Sequence, residues 1–141
     1  AVQFDKFTTY LKTEAYKDLK LFRPEVIIVK LGTNDSRPDE WVNEDFFYAD
    51  YLRLVRRMKS ISDQVYLCYP ILPYGFKWQQ RDDILRNKVM KLIKRVSEEE
   101  QLPVINLYRE EMRDSVNYYP DGIHPTSNGY DIIAKIIYDN L

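Results

Sequence analysis

Apolar and polar positions change period several times along this chain, and each change marks an element. Thr13 is placed to cap a short helix through Phe22, which Arg23-Pro24 stops because the residue before proline is pushed out of the α region. Glu25 to Leu31 is a β-branched run between Pro24 and Gly32, the pattern of a strand buried on both faces. From Asp45 to Ser60 the period becomes helical. Phe47, Tyr48, Tyr51, Leu52, Val55 and Met58 fall on one side, with Arg53, Arg56, Arg57 and Lys59 on the other. Gln64 to Tyr69 reads as a second apolar strand ending at Pro70, and Ile71 to Gln80 as a surface loop rich in Pro, Gly and aromatic residues.

Ile84, Leu85, Val89, Leu92, Ile93 and Val96 predict a further helix to about Gln101, followed by a short strand from Pro103 to Leu107. Asp121-Gly122 is a turn signal. A last helix is expected from about Ser127 to Asn140, with Tyr130, Ile133, Ala134, Ile137 and Leu141 inward. Strands separated by helices imply parallel crossovers. The expected fold class is therefore α/β, a three-layer helix/sheet/helix sandwich around a parallel sheet. With 141 residues and no visible repeat or linker, residues 1–141 are expected to form one domain. In such sheets ligands sit beyond the carboxyl ends of the strands, so the loops after Leu31 and after Tyr69 are expected on the functional edge.

Composition narrows the partners. The formal net charge is -1, from 21 basic and 22 acidic residues, which leaves no field to favour a nucleic-acid backbone. The longest apolar stretches, Val26 to Val29 and Ile132 to Ile137, are far too short to span a bilayer, so no membrane partner is expected. Ala1 is not followed by a charged region and an apolar run of the signal-peptide kind. Cys68 is the single cysteine, which rules out an intrachain disulfide and leaves the redox compartment and the localisation unread.

Two short segments carry candidate chemistry. His124, the sole histidine, lies in Asp121-Gly122-Ile123-His124-Pro125; its side chain suits proton transfer near neutral pH. Asp121 can fold back through the turn and accept the ring N–H. Taken alone, the pair fits equally a turn at Asp121 and a helix cap at His124. Leu31-Gly32-Thr33-Asn34-Asp35 ends a buried strand, where Gly32 permits a sharp exit and Asn34 can aim an amide N–H at a developing oxyanion. A Gly/Asn/Asp turn after any strand would look the same.

Together the two segments resemble the third and fifth conserved blocks of the SGNH (GDSL-type) hydrolases, in the right order, and Pro24 to Asp35 resembles the corresponding strand and loop of the acetylesterase-like members. The resemblance implies a flavodoxin-like sheet, with His124 as general base and later general acid, Asp121 as its orienting partner and Asn34 as an oxyanion-hole donor. Gly32, Thr33 and Asp35 would support that loop. It implies a serine acylhydrolase working through an acyl-enzyme on small acyl esters, such as O-acetyl groups on carbohydrates, with no metal and no organic cofactor.

Two parts of the family pattern are missing, the Gly-Asp-Ser block and a second glycine block ahead of the Asn segment, since all four glycines lie at or after Gly32. The chain has no Gly-Asp-Ser, and its six serines stand outside that context. Ser36 lacks the rigid elbow a nucleophile needs and is expected to turn or cap its loop. The nucleophile is thus expected outside these residues, with the first strands cleaved, left out or supplied by a second chain, and residues 1–141 alone inactive. In the family fold the nucleophile strand lies beside the strand that Glu25 to Leu31 resembles, so that strand's edge would be left unpaired. Two other readings stand beside this one: a non-catalytic relic or module that binds a carbohydrate or partner, and an unrelated flavodoxin-like interaction domain in which the motifs coincide by chance. The aromatic loop after Tyr69 and Trp41 fit a pocket wall or ordinary packing, Tyr118 and Tyr119 fit a buttress for the His124 loop or plain packing, and the runs Arg53 to Lys59 and Glu98 to Glu100 fit solvated helix faces.

Overall fold

Threonine, asparagine and proline set the boundaries in the computed structural model, which describes residues 1–2 and 9–141. Thr13 accepts from the Tyr16 N–H and starts α1 (Glu14–Phe22), which ends where Arg23 turns left-handed before Pro24. Strand β1 (Val26–Val29) follows. Asn43 caps α2 (Glu44–Lys59) by accepting from the Phe46 N–H at 2.9 Å. After β2 (Gln64–Tyr69), one long helical stretch comprises α3 (Gln79–Ile84), a π turn (Leu85–Val89) and α4 (Met90–Glu100). Strand β3 (Val104–Asn106) precedes α5 (Ser127–Tyr138), capped by Thr126.

The three strands pair in parallel in the order β1-β2-β3, with Ile27 opposite Val65 and Cys68 opposite Ile105. Because the strand order runs in one direction, both crossovers lie on one face. There Phe47, Tyr51, Leu54 and Val55 of α2 and Ile93 and Val96 of α4 enclose Ile27, Val29, Val65 and Leu67. Each such side chain, fully buried, contributes roughly 1.5–3 kcal/mol of transfer free energy. On the opposite face Ile133 and Ile136 of α5 cover Cys68, Ile105 and Leu107. The result is the helix/sheet/helix sandwich that the alternating elements predict.

Three expectations need correction. Strand β1 is not buried on both faces: Ile27 and Val29 face the core, but Val26 and Ile28 are each 37% exposed, because α5 covers only the β2–β3 half of its face. The inward stripe of α5 is Gly129, Ile133 and Ile136, whereas Tyr130, Ala134 and Leu141 face out. Gly129 sets this phase, since a Cβ there would lie 2.3 Å from the Asn117 carbonyl oxygen. Ile71 to Pro73 are buried rather than on a surface loop, with Ile71 and Leu72 packed in the second core cluster. The basic face of α2 is solvated as expected and pairs across the surface with the acidic end of α4, Arg56 with Glu99 and Glu100 and Lys59 with Glu100 at 2.8 Å. Among the described residues, no helix is long and apolar enough to cross a membrane.

Candidate active site

The loop after β1 is held by its own backbone and by one distant side chain. Gly32 adopts φ +116°, and a Cβ there would come within 2.9 Å of Val89, so the chain passes this close to the π turn with glycine. A short 3-10 turn follows over Asn34–Ser36. Asp35 is buried, and both carboxylate oxygens accept from the Val2 N–H, at 2.9 and 3.0 Å. Ser36 is also buried; its hydroxyl donates to the Thr33 carbonyl at 2.7 Å and accepts from Arg81 Nε at 3.1 Å. The first hydroxyl bond is internal to the loop and the second ties it to α3, so Ser36 turns and pins the loop. Asn34 itself is exposed.

The second loop closes on Asp121. Gly122 takes φ +72°, and Asp121 Oδ1 accepts from the backbone N–H of Ile123 at 2.7 Å and of His124 at 2.9 Å, while Oδ2 lies 2.8 Å from His124 Nδ1. These three contacts, the two backbone bonds first, hold the Asp121 carboxyl well below the usual carboxylate range. A carboxylate at Nδ1 selects the tautomer with its proton on Nδ1, leaving Nε2 with a lone pair. The helix after this loop is capped by Thr126, not by His124. Tyr119 anchors the loop from behind: its N–H donates to the His124 carbonyl at 2.9 Å, and its carbonyl accepts from the Gly122 N–H.

Asn34 and His124 line one cleft of about 180 Å³ at the carboxyl end of the sheet, together with Gly32, Thr33 and Ala1. Asp35 stands behind this wall rather than in it. The placement on one edge argues against coincidental motifs. His124 and Asp121 remain open to solvent, with side chains 73% and 45% exposed.

Sequence reasoning missed the segment that joins the two loops. Trp78, read as a packed or pocket-lining aromatic, donates its indole N–H to the Asp121 carbonyl at 2.7 Å, and the Tyr74 N–H donates to the Gly122 carbonyl at 2.8 Å. Arg81, 5% exposed at the start of α3, reaches Thr33, Ser36 and Asn34. Its setting, Gln79-Gln80-Arg81-Asp82-Asp83, looks like any solvated helix start, so no local signal marks it. Beside this segment are two further clefts of about 440 and 500 Å³, both lined by Tyr74 and Phe76. Trp41 packs on Phe47 at 5.6 Å between ring centroids. Among the described residues, no group of three or more His, Cys, Asp and Glu side chains is gathered as a metal centre would require.

A family model described as the GDSL-like lipase/acylhydrolase family matches residues 6–132. An acetylxylan esterase of Xylanibacter ruminicola is 26% identical over 147 residues, covering 91% of this chain; the chain spans 31% of that relative's length. Among solved structures, a lipase/acylhydrolase from Enterococcus faecalis superposes with a TM-score of 0.73 at 20% identity, over 90% of this chain and 68% of that one. A GDSL-like lipase from Bacteroides thetaiotaomicron gives a TM-score of 0.60 at 26% identity, over 89% of this chain and 69% of its own.

Proposed function

The chain belongs to the GDSL-like lipase/acylhydrolase family, and from that premise we propose that it carries the acid/base and oxyanion half of a serine ester hydrolase. The observation that carries this reading is that Asn34 and His124, the latter bonded to Asp121, line one cleft at the carboxyl edge of the sheet. His124 Nε2 takes the proton from a serine hydroxyl as that oxygen attacks the ester carbonyl. Asn34 donates to the oxyanion of the tetrahedral intermediate, and Asp121 stabilises the imidazolium. His124 then protonates the departing alcohol, and in the second half-reaction it activates water against the acyl-enzyme. Gly32, Thr33 and Asp35 hold the Asn34 loop in place. Residues 1–141 act as one domain in this reading.

The serine comes from a part of the protein outside residues 1–141. Ser36 is buried and bonded on both sides of its hydroxyl, and the partly exposed β1 edge offers a place for the segment that would carry the nucleophile. Residues 1–141 on their own are then inactive. The substrate class is a small acyl ester, with O-acetyl groups on carbohydrates favoured by the likeness to an acetylxylan esterase. The absence of Gly-Asp-Ser from these residues favours a second reading, a carbohydrate- or partner-binding module on the same fold.

The test is hydrolysis of p-nitrophenyl acetate and acetylated xylo-oligosaccharides by the complete gene product. His124→Ala is expected to lower kcat by at least about a thousandfold. A variant that keeps the wild-type rate removes His124 from the mechanism. A complete protein with no such hydrolysis, yet with measurable oligosaccharide binding, supports the binding module instead.

A further inference from the structure

Asn34 can serve as an oxyanion donor only if its amide is turned the right way, and nothing within its own loop determines that. Its Oδ1 lies 3.4 Å from Arg81 Nη2. A guanidinium has only donors, so the amide must offer it the oxygen, which turns the Nδ2 hydrogens away from Arg81 and leaves them free to donate, on a residue that lines the cleft. The other contacts hold Arg81 firmly. Nη2 also donates to the Thr33 carbonyl at 2.5 Å, and Nε to the Ser36 hydroxyl at 3.1 Å, so three groups of one turn are read by one planar fork.

The face of that fork is covered as well. Arg81 Cζ sits 5.4 Å from the centroid of the Trp78 ring, and the Trp78 indole N–H is bonded to the Asp121 carbonyl at 2.7 Å. A continuous run of contacts therefore joins the two loops: Asn34 and Thr33 to Arg81, Arg81 to Trp78, and Trp78 to Asp121, whose carboxylate holds His124. Both bridging side chains, Trp78 and Arg81, come from one short stretch of chain.

We propose that Arg81 is a positioning residue that sets the amide orientation of Asn34, and that through Trp78 it fixes the Asn34 loop relative to the Asp121–His124 loop. Its catalytic consequence rests on the esterase reading above; its geometric consequence does not. Arg81→Lys keeps the charge but replaces the fork with a point donor, which cannot satisfy Thr33, Ser36 and Asn34 together.

Two readouts test this. In the ¹⁵N-labelled 141-residue chain, the chemical shifts of the Asn34 side-chain amide pair are expected to be dispersed, and to collapse toward free-asparagine values in Arg81→Lys. Ser36→Ala, which removes one acceptor of Arg81 and leaves the arginine in place, is expected to shift the same pair less and in the same direction. In the complete protein, Arg81→Lys is expected to lower kcat for p-nitrophenyl acetate by about 10- to 100-fold with KM unchanged, the size of effect that a small misplacement of a reacting group produces. An Asn34 amide pair that stays in place in both variants overturns the proposal, and so does a kcat that does not fall while the pair collapses. If the wild-type protein hydrolyses no ester, the esterase reading fails and the positioning role is judged on the amide pair alone.

Discussion

Asp121 engages both carboxylate oxygens within four residues of chain, one with two backbone N–H groups and one with the His124 ring. All three contacts favour the ionised form, so its pKa is depressed in the folded state. A depressed pKa stabilises the fold above the unfolded-state value of about 3.9, and this contribution is lost as pH falls toward the folded value. The expected outcome is that urea unfolding shows wild type more stable than Asp121→Asn at pH 5, with the gap closing as pH approaches 2. A gap that stays constant would mean that the carboxylate does not hold the loop. The same contacts explain why short-range sequence could suggest this pair: an Asp-Gly turn returns the chain within three residues, and only local geometry is needed. Asn34 was legible in position but not in orientation, because its amide is turned by Arg81, 47 residues away.

Helix α5 shows what the periodic pattern can and cannot give. Its extent follows from the apolar spacing after Thr126, yet its inward stripe differs from the one the apolar positions alone suggest. Ile133 is common to both, and Ile137 packs partly buried against the same cluster. The rotation is set by contact: Gly129 lies against the Asn117 carbonyl, and Pro125 Cβ would be 2.9 Å from an added methyl group. Gly129→Ala is expected to destabilise the protein by about 1–3 kcal/mol, as overpacking does, although alanine is the better helix former. A thermal melt that rises instead would show that α5 is free to rotate. In the long helix before β3, the π turn at Leu85–Val89 lies between core-facing Leu92, Ile93 and Val96 and site-facing Arg81; it is a feature that apolar spacing read as one uninterrupted helix.

At the scale of the molecule, β1 is an edge strand with no further partner strand among the described residues. Val26 and Ile28 are exposed on β1, as are Leu21 and Phe22 at the end of α1. The strand, together with Leu19 and Phe22, borders an apolar groove of about 360 Å³. An exposed apolar strand edge is a template for pairing with another chain. The 141-residue chain is expected to self-associate with rising concentration, and Ile28→Lys to shift it toward monomer in analytical ultracentrifugation. An unchanged mass distribution would place the contact elsewhere. In the complete protein, the segment proposed to bring the serine would cover this edge and remove the tendency.

By itself the sequence determined the alternation of strands and helices, the parallel three-layer class, the family, and the two loops that carry Asn34, Asp121 and His124. These are consequences of periodicity, proline and glycine placement and local turn chemistry, all of which act over a few residues. Only the tertiary structure decided that Asn34 and His124 face one cleft, that β1 is covered on one side, that Ser36 is bonded inward, and that Arg81 and Trp78 tie the two loops together. Those facts depend on contacts between residues dozens of positions apart, where burial and hydrogen-bond geometry choose partners that no local pattern encodes.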